Sequence, residues 1–204
     1  MKKEKIKIDF LIDNIVNSKE RIFLKIKSRI KDLERYFFIE KEYKKGNIKD
    51  NLKFQKTYRK FYVMRFLTQR FLKEYFIILS NKETNLRKIL NRLYEIPIGK
   101  GIKAIHFSFT TKLLHTVNNN LPIYDSLVGK FFDLKVSGSS KKDKINSRVE
   151  VYDKLRKYYK DLLNNKRIKK IILTFRRKFN CNKGKISDTK ILDFIIWAKG
   201  QLKK

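Results

Sequence analysis

The sequence predicts an all-α protein, and three observations support that prediction. Glycine and proline are scarce, at 7 and 2 of 204 residues, which leaves too few turn residues for a sheet built from hairpins. Apolar residues recur through most of the chain at the three- and four-residue spacing of an amphipathic helix. Hydrophobic residues make up 42% of the chain and aromatic residues 13%, which is enough apolar surface for a folded core. We therefore expect about eight helices and no strand.

Four helices are predicted in the first part of the chain. The spacing of apolar residues indicates two long helices, over residues 18–43 and 52–79. A polar break follows, and Thr84 could cap a third helix over residues 85–96 that ends before a proline. A fourth helix is expected over residues 102–118, where three consecutive asparagines stop it.

Four more helices are predicted after these asparagines. Asp125 precedes the apolar segment SLVGKFFDL and should open the fifth helix. The last three are expected over residues 146–164, 166–179 and 188–200, and either Ser187 or Asp188 could cap the last of them. We expect a single helical domain over residues 1–204. It could be subdivided into 1–136 and 145–204 around the linker-like segment SGSSKKDK at 137–144.

The net charge indicates a polyanionic partner. Lysine and arginine number 52 against 20 aspartates and glutamates, a formal net charge of +32. Such a chain repels itself unless an anion is nearby, and nucleic acid is favoured because each phosphate neutralised releases counterions. An anionic membrane surface is the alternative. The basic stretches at residues 43–60 and 167–185 are expected to contact the nucleic-acid backbone, with Arg176 and Arg177 as the strongest phosphate contacts.

Several classes of protein are disfavoured. One cysteine, Cys181, and two histidines, His106 and His115, cannot supply a disulfide or a zinc cluster, so we expect no metal and no cofactor. The apolar N-terminal run is interrupted by Asp9 and Asp13, unlike a secretory signal. No run of about 18 apolar residues exists that could span a bilayer. We expect a cytoplasmic protein with no membrane association.

Residues 91–133 combine two features that suit chemistry on a nucleic acid. A helix is followed by the turn Gly99-Lys100-Gly101 and a second helix, an arrangement whose backbone N–H groups can bind a phosphate. The segment NNNLPIYD then leads to Asp125 at the start of another helix. Taken alone, the turn could be a simple connector and Asp125 a simple helix cap.

Taken together, these features resemble the helix-hairpin-helix DNA glycosylase superfamily, and most closely its 8-oxoguanine DNA glycosylase-like (OGG-fold) branch. In that superfamily a segment ending in Pro-Val-Asp places the catalytic aspartate at the start of a helix. LPIYDSLV is similar, with Tyr124 as an extra residue before Asp125. FSFTTKLLH and KISDTKILDFIIW are also similar to bacterial proteins of the branch. The resemblance covers residues 96–133 and the last 15 residues. It implies a helical DNA glycosylase-like fold with a degenerate helix-hairpin-helix around residues 84–118.

The resemblance also implies an activity. The protein would flip a damaged or modified base out of double-stranded DNA and cleave its N-glycosidic bond, in base excision repair or in defence against phage. Asp125 would be catalytic, either stabilising the oxocarbenium-like sugar or activating water. Members that also nick the strand use a lysine as a Schiff-base nucleophile. Lys112, in FTTK, and Lys103, in GKGIKA, stand 13 and 22 residues before Asp125, so neither matches the usual spacing cleanly. A monofunctional enzyme without that lysine is the alternative.

A base pocket would need stacking and hydrogen-bonding side chains. Phe107, Tyr124 and His115 are the candidates, although Phe107 and His115 could instead be ordinary core residues. The alternative for the whole protein is a non-catalytic helical protein that binds DNA or RNA, in which Asp125 is only a cap.

Overall fold

The structure, a computed structural model, describes residues 2–98, 101–182 and 184–202. Within these ranges the chain forms eleven α-helices and no strand, which confirms the predicted all-α class. None of the described helices is long and apolar enough to cross a membrane. The helices are α1 (Lys2–Asn17), α2 (Lys19–Lys27), α3 (Ile30–Lys45), α4 (Leu52–Phe61), α5 (Gln69–Ser80), α6 (Leu86–Tyr94), α7 (Phe107–Val117), α8 (Ser126–Phe132), α9 (Lys141–Asn164), α10 (Lys166–Lys178) and α11 (Asp188–Gln201).

The larger helix number arises because both long predicted helices are interrupted and because α1 was not predicted. The first long helix is divided into α2 and α3, and the second into α4 and α5 at residues 62–68. The second break was not predictable from the sequence, since residues 62–68 contain neither glycine nor proline, the usual signals of a helix break. In α1, Asp9 and Asp13 lie on the exposed face of a helix whose other face buries Leu11 and Ile15. These acids therefore mark the polar side of an amphipathic helix and do not interrupt it.

Several helix starts have side-chain caps, including those of α6, α9 and α11. Asn85, and not Thr84, caps α6 by accepting a hydrogen bond from the Lys88 N–H at 2.9 Å. Ser187 caps α11. α9 begins at Lys141, inside the segment expected to be a linker. There the Asp143 N–H donates to Ser140 Oγ at 3.1 Å, and the Ser140 hydroxyl donates to the Asp143 carboxylate at 2.7 Å.

The chain divides into two compact units. Unit 1 consists of the described residues of Met1–Ile30, Asn119–Lys135 and Glu150–Lys204, and unit 2 consists of the described residues of Lys31–Asn118 and Val136–Val149. The single-domain organisation expected from the sequence stays a prediction.

Unit 1 is built around α11. This helix packs against α1, α2, α8 and α10, and it is buried on nearly every side from Thr189 to Ile196. It also carries a buried ion pair, in which Lys190 Nζ lies 2.7 Å from Asp193 Oδ2. A buried charge needs such a partner because it has lost its hydration.

Unit 2 is built around α7, which packs against α5 and α6. A buried chain of hydroxyl groups ties it to α4 and α5. The Tyr58 hydroxyl lies 3.0 Å from that of Tyr75 and 3.1 Å from that of Thr116, and the Tyr75 hydroxyl donates to the Phe109 carbonyl at 2.9 Å. These bonds satisfy polar groups that would otherwise be buried at a cost.

A glycine in α8 makes room for the side chain that precedes Asp125. The Tyr124 hydroxyl lies across α8 and donates to the Leu134 carbonyl at 3.3 Å. A Cβ placed on Gly129 would lie 2.7 Å from that hydroxyl oxygen and 3.1 Å from Cζ of the same ring. Gly129 is therefore needed for the position of Tyr124, and so for the entry of the chain into α8.

We expect Gly129→Ala to lower the free energy of unfolding by about 1–3 kcal/mol, because the added methyl must displace the tyrosine ring. The sign is informative, since glycine to alanine inside a helix ordinarily stabilises by up to about 1 kcal/mol. Urea denaturation followed by circular dichroism measures the change. Adding Tyr124→Phe, which removes the closest atom, should recover part of the loss.

Gly184→Ala is the matched control for this prediction, because a Cβ there meets only Asn182 Oδ1 at 3.6 Å. Equal effects of the two substitutions, or no recovery by Tyr124→Phe, would contradict the assigned packing.

Candidate functional site

Asp125 is the N-cap of α8, as the sequence predicts. Its backbone is extended, with φ −139° and ψ −177°, and its Oδ1 accepts a hydrogen bond from the Val128 N–H at 2.8 Å. The side chain is half-buried. Among the residues that the structure describes, Oδ2 accepts no hydrogen bond and the carboxylate forms no ion pair. One oxygen thus holds the helix start while the other is available to a ligand.

Tyr159, also in unit 1, interacts electrostatically with both Asp193 and Asp125. Tyr159 is 2% exposed, and its hydroxyl has no hydrogen-bond partner in the described part of the chain. Burial, followed by the carboxylates of Asp193 and Asp125, raises the pKa of Tyr159 well above its usual value, so this phenol stays neutral. Asp193 is buried and paired with Lys190. Asp125 is therefore the more accessible of the two carboxylates that act on Tyr159.

Lys103, one of the two candidate nucleophiles, is paired with a carboxylate. Its Nζ lies 2.8 Å from Glu95 Oε2, and Lys141 Nζ lies 2.5 Å from the other oxygen of Glu95. The hydrogen bonds from Lys103 and then Lys141 lower the pKa of Glu95 to about 2. The same bond raises the pKa of Lys103. A raised pKa makes the neutral amine scarcer, which disfavours Lys103 as a nucleophile.

Lys112, the other candidate, has a different environment. It projects from α7, and its Nζ donates to the Tyr62 backbone carbonyl at 3.0 Å. The ammonium also lies 5.1 Å from the centre of the Phe109 ring and 5.9 Å from that of Tyr62. These contacts fix the amino group near aromatic faces. Lys112 and Lys103 belong to unit 2, whereas Asp125 belongs to unit 1.

The predicted phosphate-binding turn is only partly described. Gly99 and Lys100 lie outside the described residues, and Gly101 has a positive φ of 75°. Ile98 and Ile102 pair in both directions, with N–H to carbonyl distances of 2.9 and 3.1 Å. Because Ile102 is held in this pairing, the next helix begins at Phe107 and not at residue 102. This bridge lies between α6 and α7, and the first residue of α7 comes five residues after Ile102, so the bridge does not lead directly into a helix N-terminus as the sequence predicted.

The candidate base-pocket residues are mostly core side chains. Phe107 is 4% exposed and His115 is fully buried, both in unit 2. The His115 ring lies 6.2 Å from that of Tyr36. Tyr124 packs on α8 in unit 1. Burial supports the core role that the sequence left open for Phe107 and His115, whereas Tyr124 is half-buried.

His106 is a candidate that the sequence did not indicate. It is the N-cap residue of α7, is 8% exposed, and lies between the rings of Phe71, at 4.4 Å, and Phe109, at 5.9 Å. Its Nε2 has no hydrogen-bond partner among the described residues. Burial lowers the pKa of His106 to about 4, so the imidazole is neutral at pH 7. The sequence predicted a helix from residue 102, which would place His106 inside that helix. In the structure His106 lies at the start of α7, near Phe109 and Lys112.

The two arginines expected to contact phosphates differ sharply. Arg176 is 9% exposed, its guanidinium pairs with Asp188, and its Nη2 donates to the Ile186 carbonyl at 3.0 Å. These contacts hold the loop before α11 and favour a structural role for Arg176 over the phosphate contact expected from the sequence. Arg177 is exposed and stays a candidate phosphate contact.

No group of three or more histidine, cysteine, aspartate or glutamate side chains in the described ranges could hold a metal ion. Comparisons with protein-family models, with curated proteins and with solved structures found no match to this chain. The resemblance to DNA glycosylases therefore stays a prediction.

Arg176→Met should lower the free energy of unfolding by about 1–3 kcal/mol, because it leaves the Ile186 carbonyl and Asp188 without their donor. Arg177→Met should change it by less than about 0.5 kcal/mol. For DNA binding, Arg177→Met should have the larger effect of the two. It is expected to reduce the salt dependence of duplex binding by about one counterion, which fluorescence anisotropy measures. Equal losses of stability in the two variants would contradict this assignment.

Stability should depend on pH through His106. The unfolded chain binds a proton there near pH 6.5, whereas the folded protein does so only near pH 4, so unfolding takes up a proton between these values. The free energy of unfolding should therefore fall as the pH decreases, by about 2 kcal/mol between pH 7 and pH 5 from this group alone. Urea denaturation of the wild type and of His106→Asn at pH 7 and pH 5 measures this pH dependence of the free energy of unfolding. Parallel pH dependences of the two proteins would show that His106 is not responsible.

Proposed function

We propose that the protein is a DNA glycosylase-like enzyme that flips a damaged or modified base out of duplex DNA and hydrolyses its N-glycosidic bond. The observation that carries the proposal is the geometry of Asp125. This half-buried carboxylate is fixed through one oxygen by the Val128 N–H, and its other oxygen accepts no hydrogen bond from the described residues. The similarity of LPIYDSLV to the corresponding segment of the glycosylase superfamily supports the same role.

The chemistry requires a carboxylate that is held but not consumed by other contacts. As the bond between C1′ and the base nitrogen breaks, its electron pair leaves with the base and positive charge develops on the sugar. The free oxygen of Asp125 can stabilise that charge or take a proton from the water that attacks C1′. The departing base accepts a proton, which balances the hydrolysis. The N-terminus of α8 favours a negative charge at Asp125.

If the enzyme also nicks the strand, Lys112 is the better supported nucleophile. Lys103 is paired with Glu95, which raises its pKa. Lys112 donates to the Tyr62 backbone carbonyl, and its ammonium lies against the Phe109 ring. Attack by its neutral amine on C1′ would give a Schiff base after loss of the base.

The second candidate function is a non-catalytic helical protein that binds DNA or RNA. The observation that favours it is that the hydrogen bond from Val128 to Asp125 is a complete helix cap, which needs no further role for the carboxylate. The net charge of +32 supports nucleic-acid binding in both proposals.

Base release separates the two functions. Asp125→Asn removes the charge but keeps an oxygen that can accept the Val128 N–H, so the cap should survive. Asp133→Asn is the matched control, because it removes a carboxylate from the other end of α8, at a left-handed residue where asparagine is tolerated. Duplexes carrying 8-oxoguanine, uracil, alkylated purines or hypermodified cytosines are incubated with each protein, and free bases are measured by mass spectrometry. We expect release by the wild type and by Asp133→Asn, and about a hundredfold less by Asp125→Asn.

Borohydride trapping in the same reactions tests whether a lysine forms a covalent adduct with DNA. Lys112→Met is expected to abolish an adduct that Lys103→Met retains.

The class of base released distinguishes repair from defence against modified DNA. Tight binding of every duplex without release of any base would support the binding protein. Equal release by Asp125→Asn would remove Asp125 from the mechanism.

A further inference from the structure

The segment that separates α4 from α5 has a costly backbone. Residues 62–68 contain no glycine, yet Val63 and Phe66 have positive φ angles of 53° and 58°. Side-chain-bearing residues seldom adopt this conformation, and a β-branched valine does so least readily. Contacts elsewhere must therefore compensate for it.

Those contacts hold the segment at both ends. Tyr62 and Met64 are 5% and 2% exposed, and the Met64 N–H donates to the Arg59 carbonyl at 2.9 Å. Thr68 caps α5 by accepting a hydrogen bond from the Phe71 N–H at 3.2 Å. Lys112 donates to the Tyr62 carbonyl. The segment is thus anchored within unit 2 although its backbone is strained.

The anchored segment presents an aromatic ring to solvent. Phe66 is 94% exposed, compared with 78% for Leu52, the next most exposed large apolar side chain among the described residues. Single exposed apolar residues are common on protein surfaces. Here, however, a strained and anchored backbone holds a phenyl ring almost completely out of the core, which is difficult to explain by packing.

All the charged residues that surround Phe66 in the sequence are cationic. Residues 51–73 contain seven lysines and arginines and no aspartate or glutamate. Lys60, Arg65 and Arg70, which flank the ring in sequence, are all exposed. An exposed aromatic ring among cations matches a nucleic acid, whose bases stack on aromatic faces while its phosphates bind lysine and arginine.

We propose that Phe66 is an intercalating residue, which inserts its ring between the bases of a duplex while Lys60, Arg65 and Arg70 bind the neighbouring phosphates. The inference rests on the proposed function only in taking DNA as the partner, because insertion of the ring requires no bond cleavage. A rigid segment suits this task, since the ring is already in its bound position and little conformational freedom is lost on binding.

The test uses the full chain carrying Asp125→Asn, so that base release is strongly reduced. A duplex containing 2-aminopurine reports unstacking as an increase in fluorescence, and anisotropy gives the affinity. We expect Phe66→Ala to weaken binding by about 5- to 100-fold and to abolish the fluorescence increase, as stacking energies indicate. Phe66→Trp should retain both. Leu52→Ala is the matched control, because it removes another exposed apolar side chain of unit 2 and should change neither.

Thermal denaturation of each variant shows whether it is folded. If Phe66→Ala does not fold, Phe66→Trp keeps the test decisive. Unchanged affinity and fluorescence in a folded Phe66→Ala would overturn the proposal. So would the absence of duplex binding, or a Phe66-dependent affinity for vesicles of phosphatidylglycerol in place of the duplex. A Phe66-dependent signal without base release by the wild-type chain would uphold this proposal while rejecting the glycosylase. Base release by the wild type without any effect of the Phe66 substitutions would support the glycosylase and reject the intercalating role of Phe66.

Discussion

The protein has to fold with 52 lysines and arginines and only 20 aspartates and glutamates. Under this constraint, carboxylates are placed where they compensate charge or polar backbone that would otherwise be costly. Glu95 interacts with two lysines, Asp188 holds the buried Arg176, and Asp193 neutralises the buried Lys190. Asp125 differs from these, since among the described residues it binds a backbone amide and no cation. Other carboxylates without an ion pair among the described residues, such as Asp133 and Asp143, are exposed, whereas Asp125 is half-buried and therefore calls for a functional explanation.

The second group of features lies in unit 2 and is organised by α7. His106 begins this helix, Phe109 lies against His106, and the Lys112 ammonium lies against Phe109. Lys112 also binds the carbonyl of Tyr62, where the strained segment begins. Lys112 on α7 is thus bonded to the start of the segment that carries the exposed ring of Phe66.

The binding and catalytic interpretations depend on different parts of the molecule. The proposed affinity for nucleic acid would follow from uncompensated positive charge, which both interpretations share. The proposed catalysis would depend on one oxygen atom of Asp125, while the other oxygen explains only the start of α8. The conservative change from aspartate to asparagine separates these roles because it keeps the cap and removes the charge.

Features encoded by short stretches of sequence were predictable. The all-α class followed from helical spacing and the scarcity of glycine and proline, and the cap at Asp125 followed from one acid before an apolar run. Features decided by packing between distant residues were not predictable. The break at residues 62–68 is held by Lys112 through Tyr62, and Arg176 is buried while the adjacent Arg177 is exposed. A local pattern specifies the period of a helix, but only tertiary contacts determine which of its faces is buried and where strain is compensated.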